Sequence, residues 1–262
     1  MTPERITSVK NPLAAHVRKL GTSRAYRRET GESVCDGGKL LGEALAWGVA
    51  IPALLALEGT ELPPLPEETR VAVVPEGLLR SVSPVETAQE VLFTCRVRGT
   101  EPPGALTGAR YAALDGVQDP GNVGTILRAA DAFGLDGVFL LPGCAEAWGP
   151  KCLRASMGAV FRRPVWTCDA ARLRALLTAS GLPLYGAALR GDTRDARGAE
   201  LTRACILIGS EGRGISPEAL ALCDGTVRLP MEKSCESLNA GVAAAILFWE
   251  GYKGRQRETD KV

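Results

Sequence analysis

The sequence predicts an α/β protein whose second half contains a parallel sheet. Short apolar runs of strand length alternate with helix-length segments along the chain, an order that is typical of βαβ units. The clearest unit is a strand at 111–117, a turn at 118–121, a helix from Asn122 and a strand at 137–141. The chain has 262 residues, 45% of them hydrophobic and 23% charged, which suits one large or two small globular domains.

The first hundred residues predict a small α/β unit of their own. Its predicted elements are a helix or helix pair at 4–30, a strand end, glycine turn and helix at 34–47, strands at 52–57 and 71–74, helical pieces at 76–79 and 85–92, and a strand at 93–97. Residues 98–108 follow, and their many glycines and prolines are typical of a linker. We therefore predict two domains, 1–105 and 106–262.

The second half begins with the βαβ unit and continues the alternation. Asn122 is a good N-cap for its first helix, and Phe133 belongs to the apolar face of that helix. The later elements are predicted as a helix and loop at 151–159, strands at 164–167, 184–189, 205–209 and 226–229, a helix at 170–179, an exposed charged loop at 190–200 and a last helix that begins near Ser237. On the last helix, Val242, Ile246 and Trp249 share one face, and we expect Trp249 in the core.

Cysteine and histidine usage disfavours several kinds of site. The eight cysteines include no C-x-x-C pair, although structural zinc needs closely spaced ligands and disulfide frameworks are typical of small secreted chains. We therefore expect buried, reduced thiols and no metal site. The only histidine, His16, lies far along the chain from the polar motifs described below. A histidine-based catalytic site is disfavoured, and we expect His16 at the surface.

Charge and hydropathy indicate where the protein acts. The net charge of +1 says little, but residues 1–30 contain seven basic and two acidic residues, a local charge of +5. Such clustering is expected of a surface that binds phosphate, although solvated helix faces show it too. No apolar run reaches the roughly 20 residues of a membrane span, and the N-terminus lacks the apolar core of a signal peptide. We expect a cytoplasmic protein without a membrane partner.

Three polar clusters lie at the ends of predicted strands or the starts of predicted helices. They are Asn122 with Arg128, Ser210 with Glu211, and Ser237 with Asn239. Glycines at 209, 212 and 214 flank the second cluster, and such a turn lets backbone groups approach a ligand closely. Ligands of open parallel sheets bind at the carboxyl ends of the strands, so we expect the clusters to converge there. The glycine-rich run matches neither a phosphate-binding loop nor a dinucleotide fingerprint.

Three motifs between residues 110 and 253 contain these clusters. They are Asn122-x-Gly124-x-x-x-Arg128-x-Ala130, Gly209-Ser-Glu-Gly-x-Gly214-x-Ser216, and Pro230-Met231 with Glu236-Ser-Leu-Asn239. In this order and spacing, the chain resembles the SpoU (TrmH) family of RNA ribose 2′-O-methyltransferases, in the SPOUT superfamily. The segment Lys151-x-x-Arg154-Ala-Ser156 is similar to the intermediate segment of that family. Lys233 departs from the pattern, because the family usually has glycine there.

The resemblance implies a fold, a cofactor and an assembly. It implies that the C-terminal domain is a parallel-sheet SPOUT domain with a deep trefoil knot, a rare exception to unknotted topology. It further implies S-adenosyl-L-methionine as the cofactor and a homodimer with the active site near the subunit interface. The implied cofactor-binding residues are Leu207, Gly209, Leu229, Met231, Ser237 and Leu238. The implied catalytic residues are Asn122, Arg128, Glu211, Ser237 and Asn239.

Arg128 is often given a proton-accepting role in this family, but a guanidinium group stays charged in proteins. We interpret Arg128 as a clamp that holds the phosphate beside the 2′-hydroxyl and stabilises the developing oxyanion. Glu211 is expected to orient Arg128 or the backbone loops. Ser237 and Asn239 are expected to hold the substrate and the start of the last helix.

The first domain resembles, more faintly, the ribosomal-protein-L30e-like substrate-binding domain that precedes the catalytic domain in many relatives. The opening Ile6-Thr-Ser-Val-Lys-Asn11 and the segment Cys35-Asp-Gly-Gly carry this resemblance. Phosphate contacts from such a domain position RNA rather than specify its sequence. The predicted RNA-binding residues are Arg5, Lys10, Arg18, Lys19, Arg24, Arg27, Arg28 and Arg154.

The function that the resemblance implies is methylation of a ribose 2′-hydroxyl in ribosomal RNA, with large-subunit (23S) RNA favoured by the L30e-like first domain. A transfer RNA methyltransferase of the same family is the nearest alternative. A non-catalytic RNA-binding or ribosome assembly factor and a Rossmann-type enzyme stay open as alternatives from other classes. The five motif residues disfavour the non-catalytic alternative, and binding of NAD would reveal the Rossmann-type enzyme.

Overall fold

The computed structural model describes residues 3–85, 87–188, 193–232, 234–235 and 237–259. The strands are β1 (Glu4–Arg5), β2 (Glu32–Asp36), β3 (Ala53–Leu57), β4 (Arg70–Val74), β5 (Val91–Arg96), β6 (Arg110–Asp115), β7 (Gly137–Leu140), β8 (Val165–Thr167), β9 (Leu184–Ala187), β10 (Arg194–Asp195), β11 (Ala204–Gly209) and β12 (Gly225–Arg228). The helices are α1 (Pro12–Thr22), α2 (Arg24–Thr30), α3 (Gly38–Ala46), α4 (Glu76–Val82), α5 (Pro120–Ala132), α6 (Pro150–Ser156), α7 (Ala159–Arg162), α8 (Ala170–Ala179), α9 (Pro217–Ala221) and α10 (Ala240–Thr259), with a 3₁₀ helix at Ala196–Gly198. Within the described residues, no helix is both long and apolar enough to cross a membrane.

The chain divides into two compact units. Unit 1 comprises Met1–Arg98 and Trp148–Phe161, and unit 2 comprises Gly99–Ala147 and Arg162–Val262. The boundary between Arg98 and Gly99 lies inside the predicted linker, a few residues before the predicted domain end at position 105. The segment Trp148–Phe161 belongs to unit 1, whereas the predicted boundaries placed it in the second domain, 106–262. α6 packs on β2, and the buried Ser33 hydroxyl donates a hydrogen bond to the Trp148 carbonyl at 2.5 Å.

Unit 1 is built on a mixed five-stranded sheet in the order β1-β4-β3-β5-β2. β4 is parallel to β1 and β3, whereas β5 is antiparallel to β3 and β2. Helices α1 and α4 cover the sheet, and their Leu20 and Leu79 pack with Leu55 and Leu92 in one buried apolar cluster. Unit 1 is therefore a small α/β unit, as the alternation of its sequence predicted.

The helical piece predicted at 85–92 is wrong in the residues that the structure describes. Residues 87–90 form a loop, and Val91 already belongs to β5. The Gln89 N–H donates to the Asp36 carboxylate at 3.2 Å, and the Gly37 N–H donates to the Val91 carbonyl at 2.8 Å. Tertiary hydrogen bonds to the end of β2 replace those that a helix would form, and the sequence pattern alone does not contain them.

Unit 2 contains a seven-stranded sheet in the order β10-β12-β9-β11-β6-β7-β8. Every neighbouring pair is parallel, which confirms the predicted parallel sheet. From β6 the chain adds β7 and β8 on one side, and later places β11 on the other side. The strand order therefore changes direction at β6, the kind of point where open α/β sheets bind ligands. The trefoil knot stays a prediction.

Helix α5 starts two residues earlier than predicted. Its N-cap is Asp119, whose carboxylate accepts the Asn122 N–H at 2.8 Å, and Pro120 occupies the first helical position. Proline suits that position because its missing N–H would have no helical partner there. Asn122 is therefore not the N-cap, and its side chain is left available for another contact.

The long helix α10 starts at Ala240 and turns a different face inward than predicted. Ala240, Ala244, Leu247 and Phe248 are buried, whereas Trp249 is 43% exposed. The remaining exposed apolar side chains of this helix are Val242 at 47% and Ile246 at 38%. The prediction of Trp249 in the core is wrong because residues 242–249 are all apolar, so their sequence does not distinguish the buried face.

Candidate active site

The carboxyl ends of β9, β11 and β12 meet the start of α10 around a cavity of about 360 Å³ in unit 2. Most of the wall is apolar. The apolar side chains that line it include Ile208, Ile215, Leu220, Val227, Leu229, Met231, Leu238, Ala240, Ala243 and Leu247. Ser210, Glu211 and Ser237 supply polar groups. An apolar pocket with a few polar groups at strand ends is typical of a small-molecule site.

The predicted cofactor-binding residues lie around this cavity with one exception. Those that line it are Gly209, Leu229, Met231, Ser237 and Leu238. Leu207 is fully buried on the other face of β11, where it packs with Tyr111 and Phe139. Successive side chains of a strand point to opposite faces, so Ile208 lines the cavity in its place. Leu207 is therefore corrected from a ligand residue to a core residue.

Gly209 begins a loop that closes on itself at Gly214. The Ser210 N–H donates to the Gly214 carbonyl at 3.0 Å, and the Gly214 N–H donates back to the Ser210 carbonyl at 2.9 Å. A Cβ atom on Gly209 would overlap the carbonyl carbon of Gly214, and Gly214 itself has a φ of +68°. Both positions therefore require glycine, and bare backbone faces the cavity at the end of β11.

Asn239 connects three segments that are distant in the sequence. Its side-chain N–H2 group donates to Asn122 Oδ1 at 2.9 Å and to Glu211 Oε1 at 2.7 Å. Its Oδ1 accepts the N–H groups of Gly241 at 3.0 Å and Val242 at 3.3 Å, so Asn239 also caps the start of α10. The backbone donors fix which end of the amide is oxygen, and the N–H2 group must then face the two acceptors.

Arg128 and Ser237 lie outside this hydrogen-bond network. Ser237 is exposed and lines the cavity. Arg128 is exposed on α5 and, in the described structure of its own chain, is not among the cavity-lining residues. Thr125, one turn earlier, packs against the start of α10, where a Cβ atom on Gly241 would lie 2.8 Å from Thr125 Cγ2. The structure thus groups Asn122, Glu211 and Asn239, and leaves Arg128 further along the same helix.

The motif segments match a known protein family. Residues 109–249, more than half of the chain, match the SpoU rRNA Methylase family. The chain belongs to the SpoU family. The matched range contains the whole cavity lining and all three parts of the Asn122–Asn239–Glu211 network.

Relatives of this SpoU-family chain extend the similarity into unit 1. The 23S rRNA (guanosine(2553)-2'-O)-methyltransferase RlmP of Bacillus subtilis is 33% identical over 94% of this chain and 98% of its own length. The human mitochondrial rRNA methyltransferase 3 is 28% identical over 90% of this chain and 70% of its own length. The similarity therefore includes both units and is not limited to the family motifs.

Solved structures of the same family share the fold. The SpoU methyltransferase AviRb from Streptomyces viridochromogenes, solved in complex with AdoMet, superposes with a TM-score of 0.85 at 25% identity, covering 94% of this chain and 99% of that one. An AdoMet-bound rRNA methyltransferase from Sinorhizobium meliloti superposes with a TM-score of 0.83 at 27% identity, covering 96% and 98%. These similarities confirm the predicted SPOUT-type α/β class.

Two arginines at the cavity were missed in the sequence. Arg213 lies inside the loop that follows Gly209, and Arg228 is the last residue of β12. Both are exposed, and both line the cavity. The glycine motif allows any residue at position 213, so the motif does not indicate Arg213 as a site residue. Arg228 is a single arginine at a strand end, and such a residue has no sequence pattern that indicates a site. The missed apolar lining did have a signal, because Ala240, Ala243 and Leu247 recur at helical spacing.

The thiols are free, and most are buried. Burial raises the pKa values of Cys144, Cys168 and Cys223 to about 11, and burial raises the pKa of Cys205 well above its usual range. These groups therefore stay protonated near neutral pH and are poor nucleophiles. Cys235 is exposed, contrary to the general expectation of burial.

Among the residues that are described, no group of three or more His, Cys, Asp or Glu is placed to hold a metal ion.

Two expectations about unit 1 need correction. His16 is half-buried, with Nδ1 2.9 Å from the Tyr26 hydroxyl and Nε2 3.1 Å from Glu32 Oε2, so it is not a free surface residue. Arg27 is only 8% exposed, and its guanidinium donates to the Leu20 carbonyl at 2.6 Å. The guanidinium predicted to face RNA is thus hydrogen-bonded to a carbonyl near the end of α1. The other predicted RNA-binding residues are exposed: Arg5, Lys10, Arg18, Lys19, Arg24, Arg28 and Arg154.

Two residues named in the motifs, Lys233 and Glu236, lie outside the described residues. The effect of Lys233 in place of the usual glycine therefore stays a prediction. The neighbouring described positions Met231 and Ser237 both line the cavity. The third motif is thus assigned to the site through these two residues, together with Leu238 and Asn239.

The glycine loop gives a matched pair of substitutions. Gly209→Ala is expected to lower the free energy of unfolding by about 1–3 kcal/mol, because the added methyl group overlaps the Gly214 backbone. Gly212→Ala in the same loop is expected to change it by less than about 0.5 kcal/mol, because no atom lies within 4 Å of the added Cβ. Denaturant unfolding of both variants measures the difference. Equal stability of the two would contradict the close approach at Gly209.

Proposed function

We propose that this chain is an S-adenosyl-L-methionine-dependent methyltransferase that methylates a ribose 2′-hydroxyl in large-subunit ribosomal RNA. The observation that carries the proposal is the Asn122–Asn239–Glu211 network beside the cavity. It joins one residue from each of the three SpoU motifs at the carboxyl edge of the parallel sheet. The 33% identity with a 23S rRNA 2'-O-methyltransferase over 94% of the chain supports the same activity.

The cavity suits the proposed cofactor. Its apolar walls, among them Leu229 and Leu238, match the faces of an adenine ring, and the bare backbone at Gly209 offers hydrogen-bonding groups without a side chain in the way. Two structural relatives, AviRb and the Sinorhizobium meliloti rRNA methyltransferase, were solved with AdoMet bound. When bound, S-adenosylmethionine supplies a methyl group on a sulfonium, a leaving group that needs no acid.

The residues of the chain then have to align the hydroxyl and stabilise charge. We assign Arg128 as the clamp on the phosphate beside the 2′-hydroxyl, where its permanent charge stabilises the developing oxyanion. Glu211 and Asn239 hold the glycine loop against the start of α10 through their 2.7 Å hydrogen bond. Asn122 ties the start of α5 to the same point, and Ser237 offers a hydroxyl at the cavity.

Ribosomal RNA is favoured over transfer RNA by the extent of the similarity. RlmP, which is named as a 23S rRNA enzyme, matches over 94% of this chain. A solved structure named for 2-OH methylation of C/U34 on tRNA is 28% identical and covers only 56% of it. The part of this chain beyond that 56% therefore has relatives among ribosomal RNA enzymes. An additional RNA-binding domain is useful to an enzyme that must select one nucleotide in a large RNA.

The proposed activity is tested with ribosomal RNA from a strain that lacks this gene. Incubation with methyl-labelled S-adenosylmethionine is expected to place the label on a ribose 2′-oxygen of large-subunit RNA. Arg128→Ala is expected to lower the rate at least about 100-fold, because one oxyanion-stabilising group is removed. The cofactor dissociation constant of this variant, measured by calorimetry, is expected to stay within a few-fold, because Arg128 does not line the cavity.

Arg172→Ala serves as the control for the removal of one exposed arginine from unit 2, and we expect full activity from it. Label on transfer RNA alone would overturn the substrate assignment. Cofactor binding without transfer to any RNA would support the non-catalytic alternative. Wild-type activity in Arg128→Ala would overturn the clamp role and leave the methyltransferase proposal intact.

We further propose that unit 1 is an L30e-like domain that holds the RNA through its exposed basic residues. Arg18, Lys19, Arg24 and Arg28 project from α1 and α2. A cleft of about 720 Å³ in the same unit is lined by Lys151 and Arg154 together with Pro84, Val85, Thr87 and Ala155. Arg5 contributes less, because its guanidinium already pairs with Glu58 at 3.1 Å.

RNA affinity is expected to depend on salt through these residues. Arg24→Gln with Arg28→Gln should weaken RNA binding and reduce the slope of log affinity against log salt by about 0.7–0.9 for each phosphate that the variant no longer neutralises. The matched control is Arg70→Gln with Arg80→Gln, which removes two arginines of unit 1 that pair with Glu4 and Glu76. Fluorescence anisotropy at several salt concentrations measures the slope. Equal slopes for wild type and the first variant would contradict the assignment.

We propose that the protein is a cytoplasmic homodimer whose C-terminal domain is knotted, and that α10 forms the dimer interface. Its exposed Val242, Ile246 and Trp249 form an apolar stripe beside the site. Contacts of α5 with α10 near Thr125 and near Phe133 lie on either side of Arg128 along α5. An interface at α10 would thus bring Arg128 close to the subunit boundary, which supports an active site near that boundary.

Ile246→Glu with Trp249→Glu is expected to convert the dimer to a monomer, because two charges would have to be desolvated at the interface. Val9→Glu is the control, since Val9 is an apolar side chain in unit 1 with 47% exposure. Light scattering after size-exclusion chromatography measures the mass. A monomeric wild type, or a double variant that stays dimeric, would contradict the assignment of α10.

A further inference from the structure

Two arginines and one carboxylate are the charged groups at the wall of the cavity, within the described residues. They are Arg213, Arg228 and Glu211. The Glu211 carboxylate keeps its charge, and its Oε1 accepts a hydrogen bond from the Asn239 amide at 2.7 Å. The remaining wall is apolar or neutral. Two guanidinium groups against one carboxylate leave the wall with an excess of one positive charge on an apolar background, and this arrangement suits a molecule with an apolar body and an anionic end.

The position of Arg213 is set by the glycine loop. Its backbone N–H donates to the Ser210 hydroxyl at 3.2 Å, and the loop is closed by the paired hydrogen bonds between Ser210 and Gly214. The two ends of the loop lie close together, since a Cβ atom on Gly209 would overlap the Gly214 backbone. The chain therefore fixes the backbone of Arg213 at the cavity wall, while the side chain stays exposed.

The position of Arg228 is set by the sheet. It ends β12, where the preceding Val227 is buried, and it pairs in register with Asp195 of β10. Arg197 binds the Asp195 carboxylate through Nε at 3.0 Å and through a terminal nitrogen at 2.6 Å. These hydrogen bonds, together with the nearby charge of Arg228, lower the pKa of Asp195. Arg228 is thus held at the strand end, where its side chain is exposed and lines the cavity.

We propose that Arg213 and Arg228 bind the carboxylate of the methionine part of the cofactor, and so select adenosyl ligands that carry an intact amino acid. The inference rests on the proposed function, since it takes S-adenosylmethionine as the ligand of the cavity. Arginine is suited to this role because its planar guanidinium donates paired hydrogen bonds to a carboxylate. No covalent step is involved, and the two residues are binding residues outside the reacting group.

The test compares two ligands that differ only in the carboxylate. They are S-adenosylhomocysteine and its decarboxylated form, which keeps the adenosine, the thioether and the amine. Calorimetry on the full-length wild type is expected to show at least about tenfold weaker binding of the decarboxylated ligand, the size expected for a charge-assisted hydrogen bond. In Arg213→Met with Arg228→Met, this preference is expected to fall to within about twofold, through weaker binding of S-adenosylhomocysteine alone.

Arg172→Met with Arg203→Met is the matched control, because it removes two exposed arginines of unit 2 that do not line the cavity. It is expected to keep the wild-type preference. A cavity double variant that keeps the preference, or one that loses affinity for both ligands equally, would overturn the inference. A wild type that binds S-adenosylhomocysteine without discriminating against the decarboxylated form would also overturn it. A wild type that binds neither ligand would instead overturn the cofactor assignment itself. Thermal unfolding of each variant verifies that it is folded.

Discussion

The hydrogen bonds of the Asn239 side chain are the constraint on which the candidate site depends. One amide group caps α10, reaches Asn122 across 117 positions of the chain and reaches Glu211 across 28. Only an amide has the acceptor and the two donors that these partners require. A carboxylate at position 239 would place like charge against Glu211, and a shorter hydroxyl would not span the partners. Three motifs that are separate in sequence are thereby connected by one residue.

The glycine loop is fixed at both of its ends. At its first end, Gly209 lies so close to the Gly214 backbone that a Cβ atom would overlap it. At its far end, the Ser216 N–H donates to the Asp115 carboxylate at 2.7 Å. Asp115 is the last residue of β6, the strand at which the sheet order changes direction. The switch point therefore holds the loop that forms one wall of the cavity. A wall held in this way is preorganised, so binding need not include the cost of ordering it.

The sequence predicted most of the elements but not the contacts that position them. Strand and helix periodicity predicted the parallel sheet, and the motifs indicated Asn122, Glu211 and Asn239 as residues of one site. Periodicity failed where it carries no information, as on α10, where apolar residues at every position from 242 to 249 hide the buried face. It also failed at Arg27, because a basic residue can be buried when a carbonyl such as that of Leu20 accepts a hydrogen bond from its guanidinium. Such partners come from tertiary structure, which spacing does not encode.

The network also bears on whether the chain is an enzyme or only an RNA-binding factor with the same fold. Asn239 and Glu211 are exposed, and hydrogen bonds between exposed side chains add little to stability because water competes for both partners. Unit 2 already has a buried apolar core that includes Phe139, Leu176 and Leu207. The stability of unit 2 therefore does not explain why three polar side chains meet beside the cavity. An active site does explain it, because methyl transfer requires the loop, the start of the helix and the substrate to be held in one fixed arrangement.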